Sequence, residues 1–138
     1  DFSSLVRSPL DINLMQKASI YLIGEKDYSS FRGSGCQSKS PNRNIFEIKL
    51  NRRQKIVSVE ISANAFLLNM VRIIVGTLIE VGSGTIRPEA IKDILDSRDR
   101  TQAGKTAEAK GLFYIGPEYD SFFKIFKPKY NNHLILKI

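Results

Sequence analysis

Tryptophan is absent from this chain, and cysteine and histidine occur once each, at Cys36 and His133. One thiol excludes an internal disulfide, so the 138 residues must hold by packing alone. A chain of roughly 100 to 150 residues can do that, because folding removes most of its apolar surface from water. Residues 1–138 therefore read as one domain, with 120–138 as a tail that carries no placeable motif. One imidazole excludes a metal site built on paired histidines and leaves a serine–histidine couple with little support, so no metal is expected and His133 reads as a surface residue. Acidic groups are scarce beside basic ones, 14 against 21, and the net charge of +7 favours a polyanionic partner such as nucleic acid, although a merely solvated basic surface has the same composition. There is no internal repeat and no cleavable signal pattern. The first residue is Asp1 and not Met, which implies a cytoplasmic protein with an upstream portion missing.

Asp11 stands where an N-cap belongs, before the helical spacing of Leu14, Ala18, Tyr21 and Leu22, which stops at Gly24. Residues 27–42, with Ser29, Ser30, Gly33, Ser34, Gly35, Ser38, Ser40 and Pro41, break both helix and strand and predict a long loop. Ile45, Phe46, Ile48 and Leu50 predict a strand, Ile56, Val57, Val59 and Ile61 its antiparallel partner, and residues 51–55 the basic turn between them. A long helix is predicted from about Asn64 to Gly82, then a shorter amphipathic one over 89–97 with Pro88 in its first turn and Ile91, Ile94 and Leu95 inward, then a strand over 112–115.

The long helix is apolar nearly all round, yet Arg72 sits midway along it. A membrane span is disfavoured by that arginine and by the spacing of Asn69, Arg72, Gly76 and Glu80 down one face. A guanidinium stripped of water costs several kcal/mol unless paired. Arg72 therefore either looks outward through that narrow polar stripe or awaits an anion.

Familiar phosphate-binding loops are missing. Gly33-Ser34-Gly35 lacks the third glycine and the following helix of a dinucleotide fingerprint, and Gly104-Lys105-Thr106 has Asp99 where a P-loop needs its first glycine. Cys36, with Lys39 nearby and no base, reads as inert. Basic residues interleaved with aromatics, namely Phe31, Arg32, Lys39, Arg43, Arg52, Arg53, Lys55, Arg98, Arg100, Lys105 and Lys110, have the composition of an RNA-facing groove and equally that of a solvated face.

Residues 61–78, Ile-Ser-Ala-Asn-Ala-Phe-Leu-Leu-Asn-Met-Val-Arg-Ile-Ile-Val-Gly-Thr-Leu, resemble the signature of the tRNA pseudouridine synthase A family. Further stretches fit in the same order: Leu10-Asp11 with Met15 and Ala18, then Asp27-Tyr28-Ser29-Ser30-Phe31, then Cys36-Gln37-Ser38, and Asp99-Arg100-Thr101 through Ala103-Gly104, Thr106-Ala107, Ala109 and Lys110-Gly111-Leu112. The resemblance covers about residues 10–119 and implies an α+β fold, an antiparallel sheet backed by helices on one face, of which this chain is the C-terminal half. It implies that the nucleophilic aspartate and the tyrosine that stacks on the target base lie in an N-terminal half absent from the sequence. Arg100-Thr101-Gln102-Ala103-Gly104 mimics the aspartate motif, but its neighbours mark it as the family's separate late motif, so Gln102 is no decayed nucleophile.

By the same resemblance Arg72 is the salt-bridge partner of that absent aspartate, and Leu112 is an apolar wall under the target uracil. Gly111, Lys110, Phe31 and Arg32 complete the implied substrate-binding set. The implied partners are tRNA, the missing half and a second copy in a full-length homodimer. The implied activity is uridine isomerisation in the anticodon stem-loop, without cofactor and without turnover by this portion alone. A non-catalytic RNA-binding module and a self-association unit stay open.

Overall fold

The computed structural model describes residues 10–53, 56–108, 112–115 and 132–137, the last two stretches as backbone strands. The elements in chain order are α1 (Ile12–Ile20), β1 (Gly24–Asp27), a 3-10 turn (Ser29–Phe31), β2 (Asn42–Arg53) and β3 (Ile56–Ala63), followed by α2 (Met70–Gly82), α3 (Ala90–Ser97), a second 3-10 turn (Arg100–Gln102), β4 (Leu112–Ile115) and β5 (Asn132–Lys137). The strands form one antiparallel sheet in the order β1-β2-β3-β5-β4. The fold is α+β, as the sequence implies.

The side-chain period of two decides which face the helices cover. Val57, Val59, Ile61 and Ala63 of β3 are buried in one core with Met15, Ala18 and the apolar side of α2. Their register partners Leu50 and Ile48 pack on the same core, while Glu47, Lys49, Ser58, Glu60 and Ser62 alternate to the opposite face. Ile45 breaks parity with Ile48 and is nonetheless fully buried. A bulge between Ile45 and Glu47 slips the pairing by one residue, so both halves of β2 turn their apolar side chains inward.

Asp11 caps α1 as expected, its carboxylate accepting from the Asn13 and Leu14 amides at 3.0 and 3.3 Å. Its own amide bonds the Gly82 carbonyl at 2.9 Å, joining the start of α1 to the end of α2. In α3, Ile91, Ile94 and Leu95 are buried, as their spacing predicts.

The loop expected over 27–42 is present: it opens on the last residue of β1, contains one 3-10 turn and closes on the first residue of β2. The tail contributes more than its lack of motif implies, since β5 lies between β3 and β4 and joins them into one sheet.

The long helix begins at Met70 and not near Asn64. The cause is competition for backbone groups. The Leu68 carbonyl, which a continuing helix would use for the Arg72 amide, accepts from Gly33 at 2.8 Å instead. Asn64 bonds outward to the β2 backbone, its Oδ1 accepting from Asn44 and Ala65 at 2.9 Å each. Asn69 then stands left-handed at φ 58°, a conformation that asparagine tolerates and the residues of a helix cannot continue through.

Candidate active site

Arg72 lies on the first full turn of α2 and is half-buried. Its Nε donates to the Ala107 carbonyl at 2.7 Å, while the Ala107 amide donates back to the Arg72 carbonyl at 2.9 Å. Its Nη1 donates to Asn69 Oδ1 at 3.2 Å. Neutral acceptors thus grip the cation on two nitrogens, and among the described residues no carboxylate pairs with it.

Beyond the exposed Asn69, the polar stripe along α2 is the dock for residues 103–107. A Cβ on Gly76 would lie 1.6 Å from the Lys105 carbonyl oxygen, and a Cβ on Gly104 would lie 2.0 Å from Glu80 Oε2, so two glycines let backbone reach helix at this crossing. Thr77 Oγ1, fully buried, accepts from the Gly104 amide at 2.8 Å and donates to the Ile73 carbonyl at 2.8 Å. Glu80 Oε2 accepts from the Lys105 amide at 3.0 Å. The stripe that breaks the apolar run is therefore the clamp on a strap leading from α3 toward β4. Asp99 opens the strap by capping the turn Arg100–Gln102 through Thr101, and Gln102 is exposed.

A second loop closes on the same region. Asp27 Oδ1 accepts from the Ser29 amide at 2.9 Å and hydroxyl at 2.6 Å, and Ser30 Oγ donates to the Ile94 carbonyl at 2.6 Å. Burial opposes ionisation of Asp27, but the Ser29 bonds together with the charges of Arg98, at 3.5 Å, and Arg32 hold its carboxyl below the usual range. Burial pushes the Tyr28 phenol up, and its hydroxyl donates to the Leu22 and Gly24 carbonyls at 2.8 and 2.7 Å. These residues are the framework of the loop that carries Arg32.

Phe31 is fully buried, so its ring supports that loop from beneath and offers no surface to a base. Arg32 folds back over its own loop, bonding the Ser38 carbonyl and, at 3.4 Å, the Cys36 carbonyl. Lys110 and Gly111 lie outside the described residues. Leu112 opens β4, with Leu136 of β5 as its register partner.

Among the described residues the basic side chains do not all share one groove. Arg43 and Arg52 lie nine positions apart on β2, about 30 Å at roughly 3.3 Å per residue. Arg43 is braced by Ser38, Ser40 and Asn42, whereas Arg52 reaches the Leu10 carbonyl at the far end of the sheet. Arg98 faces Asp27. Arg100 and Arg72 instead hold consecutive residues of the strap, Thr106 and Ala107, and the two 3-10 turns pack together beside them. Two of the described cations, Arg72 and Arg100, are thus gathered on the strap. Asn69 and the Ala107 carbonyl are the members of this site that sequence reasoning did not assign.

Cys36 lies among groups that favour its thiolate. Amide donors at Leu68 and Ser38, with Arg32 alongside, outweigh partial burial and bring the thiol down to about 6, and Lys39 takes no part. Alkylation of Cys36 by iodoacetamide should therefore rise with pH to a midpoint near 6 in the folded chain. In urea the midpoint should return to about 8.5. Because the folded value is the lower, its stabilising contribution is full above the unfolded value and is lost as pH falls through about 6. Equal midpoints with and without urea would remove the claim.

Among the described residues no three His, Cys, Asp or Glu groups gather as a metal site, and no helix is long and apolar enough to cross a membrane. The fold, the signature-bearing α2 and its strap define a family, and comparison with known proteins states which. Residues 18–120 match the family model described as tRNA pseudouridine synthase, and the chain belongs to that family. Among similar proteins are the tRNA pseudouridine synthase A of Coxiella burnetii (strain Dugway 5J108-111), 47% identical over 117 residues, covering 85% of this chain and 45% of the relative. That of Aliivibrio fischeri (strain MJ11) is 49% identical over 110 residues, covering 80% and 42%. That of Francisella tularensis subsp. novicida (strain U112) is 48% identical over 113 residues, covering 82% and 44%. The chain spans less than half the length of these relatives.

Proposed function

We propose that this chain is the C-terminal half of a tRNA pseudouridine synthase, and that Arg72 holds an ionised aspartate supplied by an N-terminal half. The observation that carries the reading is the state of Arg72: fixed by two neutral acceptors, half-buried, and without a carboxylate among the described residues. A cation held in this way supports an anion brought by another part of the assembly, because it is oriented but not neutralised. The reaction detaches uracil at N1 and rejoins it to the same ribose at C5, with no net change of atoms. Arg72 would keep the attacking carboxylate ionised and aimed throughout.

In this reading Lys110, Gly111 and Leu112 line the target base, and Arg32 and Arg100 meet phosphates. The partners are tRNA and, in the full-length enzyme, a second copy in a homodimer, in the cytoplasm. Extrusion of the target base from its stack is the costly step that an apolar wall offsets.

The test is complementation in the tube. Residues 1–138 alone should release no tritium from tRNA uridines labelled at C5, and addition of the upstream half should restore release. tRNA binding by the chain should weaken with salt at a slope of about 0.7 to 0.9 per phosphate neutralised. Turnover by the chain alone would place the nucleophile within these residues and end the proposal. Salt-dependent binding with no turnover in the combined halves would leave an RNA-binding module.

A further inference from the structure

The guanidinium of Arg72 is committed on two of its three nitrogens. Nε is spent on the Ala107 carbonyl and one Nη1 hydrogen on Asn69, which leaves the second Nη1 hydrogen and both Nη2 hydrogens for an anion. Asn69 itself is an exposed residue at φ 58°, held left-handed immediately before α2, and Gly33 packs against its side chain so closely that a Cβ there would lie 3.2 Å from it. A left-handed residue is costly unless the surroundings require it. Here it turns the side chain of the N-cap position away from the helix amides, to which it makes no capping bond, and toward Arg72 three residues later.

We propose that Asn69 is a positioning residue: it and the Ala107 carbonyl set the rotation of Arg72, so that a carboxylate docks on the remaining Nη hydrogens and the side-on approach through Nε is closed. The inference rests on the reading of Arg72 given above. It assigns to the asparagine a neutral acceptor's role, which orients the cation without discharging it. Aspartate in the same place keeps the shape and tolerates the left-handed backbone, but makes Arg72 captive to a local negative charge.

That difference supplies the experiment, performed in the complete enzyme with Arg72→Ala as reference. Asn69→Gly keeps the backbone conformation and loses the acceptor. It should lower kcat about tenfold with KM near the parent value, since misplacement of a reacting pair is felt in the chemical step. It should also move the acid limb of the kcat/KM profile upward, because a loosely held guanidinium stabilises the ionised aspartate less. Asn69→Asp should fold as well as the parent by thermal unfolding and lose on the order of a hundredfold in kcat.

A merely structural role predicts the reverse order, with Asn69→Asp at parent activity and Asn69→Gly reduced with an unmoved acid limb. That order would overturn the proposal, and so would parent-like turnover in both variants. Should Arg72→Ala itself turn over normally, the reading of Arg72 fails first, and that result is separate from failure of the asparagine series alone.

Discussion

Replacing Arg72 with alanine in the complete enzyme should lower kcat on the order of a thousandfold while tRNA affinity stays within about a factor of three. The two numbers differ for a physical reason. Affinity for a polyanion is a sum over many cations, and Arg72 is one of 21 basic residues in this chain alone. Under the proposed role of Arg72, turnover depends on a single ion pair, and removing one member of a half-buried pair leaves the other desolvated and uncompensated, a loss of about 3 to 5 kcal/mol. The carboxylate that loses its partner should also titrate at higher pH, so part of the lost rate should return as pH is raised. Arg72→Lys should recover little. A lysine ammonium has no Nε–H to give the Ala107 carbonyl while also reaching Asn69, so both groups that aim the cation lose their hold on it. Single-turnover measurements with saturating tRNA would separate chemistry from binding. Near-parent rates for Arg72→Ala would show that Arg72 belongs to the packing of the strap and not to catalysis.

Much of this fold is visible in local pattern. The hairpin β2–β3, the cap of α1 at Asp11 and the inward face of α3 follow from alternation, an N-cap side chain and three-to-four spacing, all of which act within a few residues. Arg72 stands out for a similar reason, since a charge inside an apolar run demands a partner. What the pattern misses is set by distant groups. Residues 64–69 are as apolar as a helix wants, and only the amide of Gly33 and the backbone at Asn44 decide otherwise. The bulge between Ile45 and Glu47 is invisible to a period of two applied without a slip. The stripe of Asn69, Arg72, Gly76 and Glu80 reads equally well as a wet face until the strap is laid on it, and its grip on Arg72 comes from a carbonyl 35 residues along the chain. Even Phe31, an aromatic beside an arginine and so a plausible stacking ring, is drawn into the core by the turn that Asp27 and Ser29 impose.

Gly76→Ala should be the most damaging single-methyl change in the described fold. Two effects oppose each other. Alanine favours a helix interior over glycine by about 1 kcal/mol, which alone would stabilise α2. The added carbon, however, would stand 1.6 Å from the Lys105 carbonyl oxygen and 2.8 Å from its carbon, and both are backbone atoms with no rotamer to yield. The strap must therefore lift from the helix, straining or breaking the bonds from Gly104 to Thr77, from Lys105 to Glu80, and between Ala107 and Arg72. At about 0.5 to 1.5 kcal/mol for each bond, and more where the buried Thr77 hydroxyl is left with less to bond, the loss outweighs the gain in helix propensity by about 2 to 4 kcal/mol. Urea unfolding of the chain should show that deficit. Trypsin should report its location, because Lys105 is exposed but held against α2 by its backbone, and release of the strap should speed cleavage after it before global unfolding begins. The Arg72 guanidinium loses the Ala107 acceptor in the same event, so in the complete enzyme the variant should lose kcat more than its residual folded fraction explains. A variant as stable as the parent, with Lys105 still protected, would mean that helix propensity prevails and that the close crossing at Gly76 does not hold the strap in place.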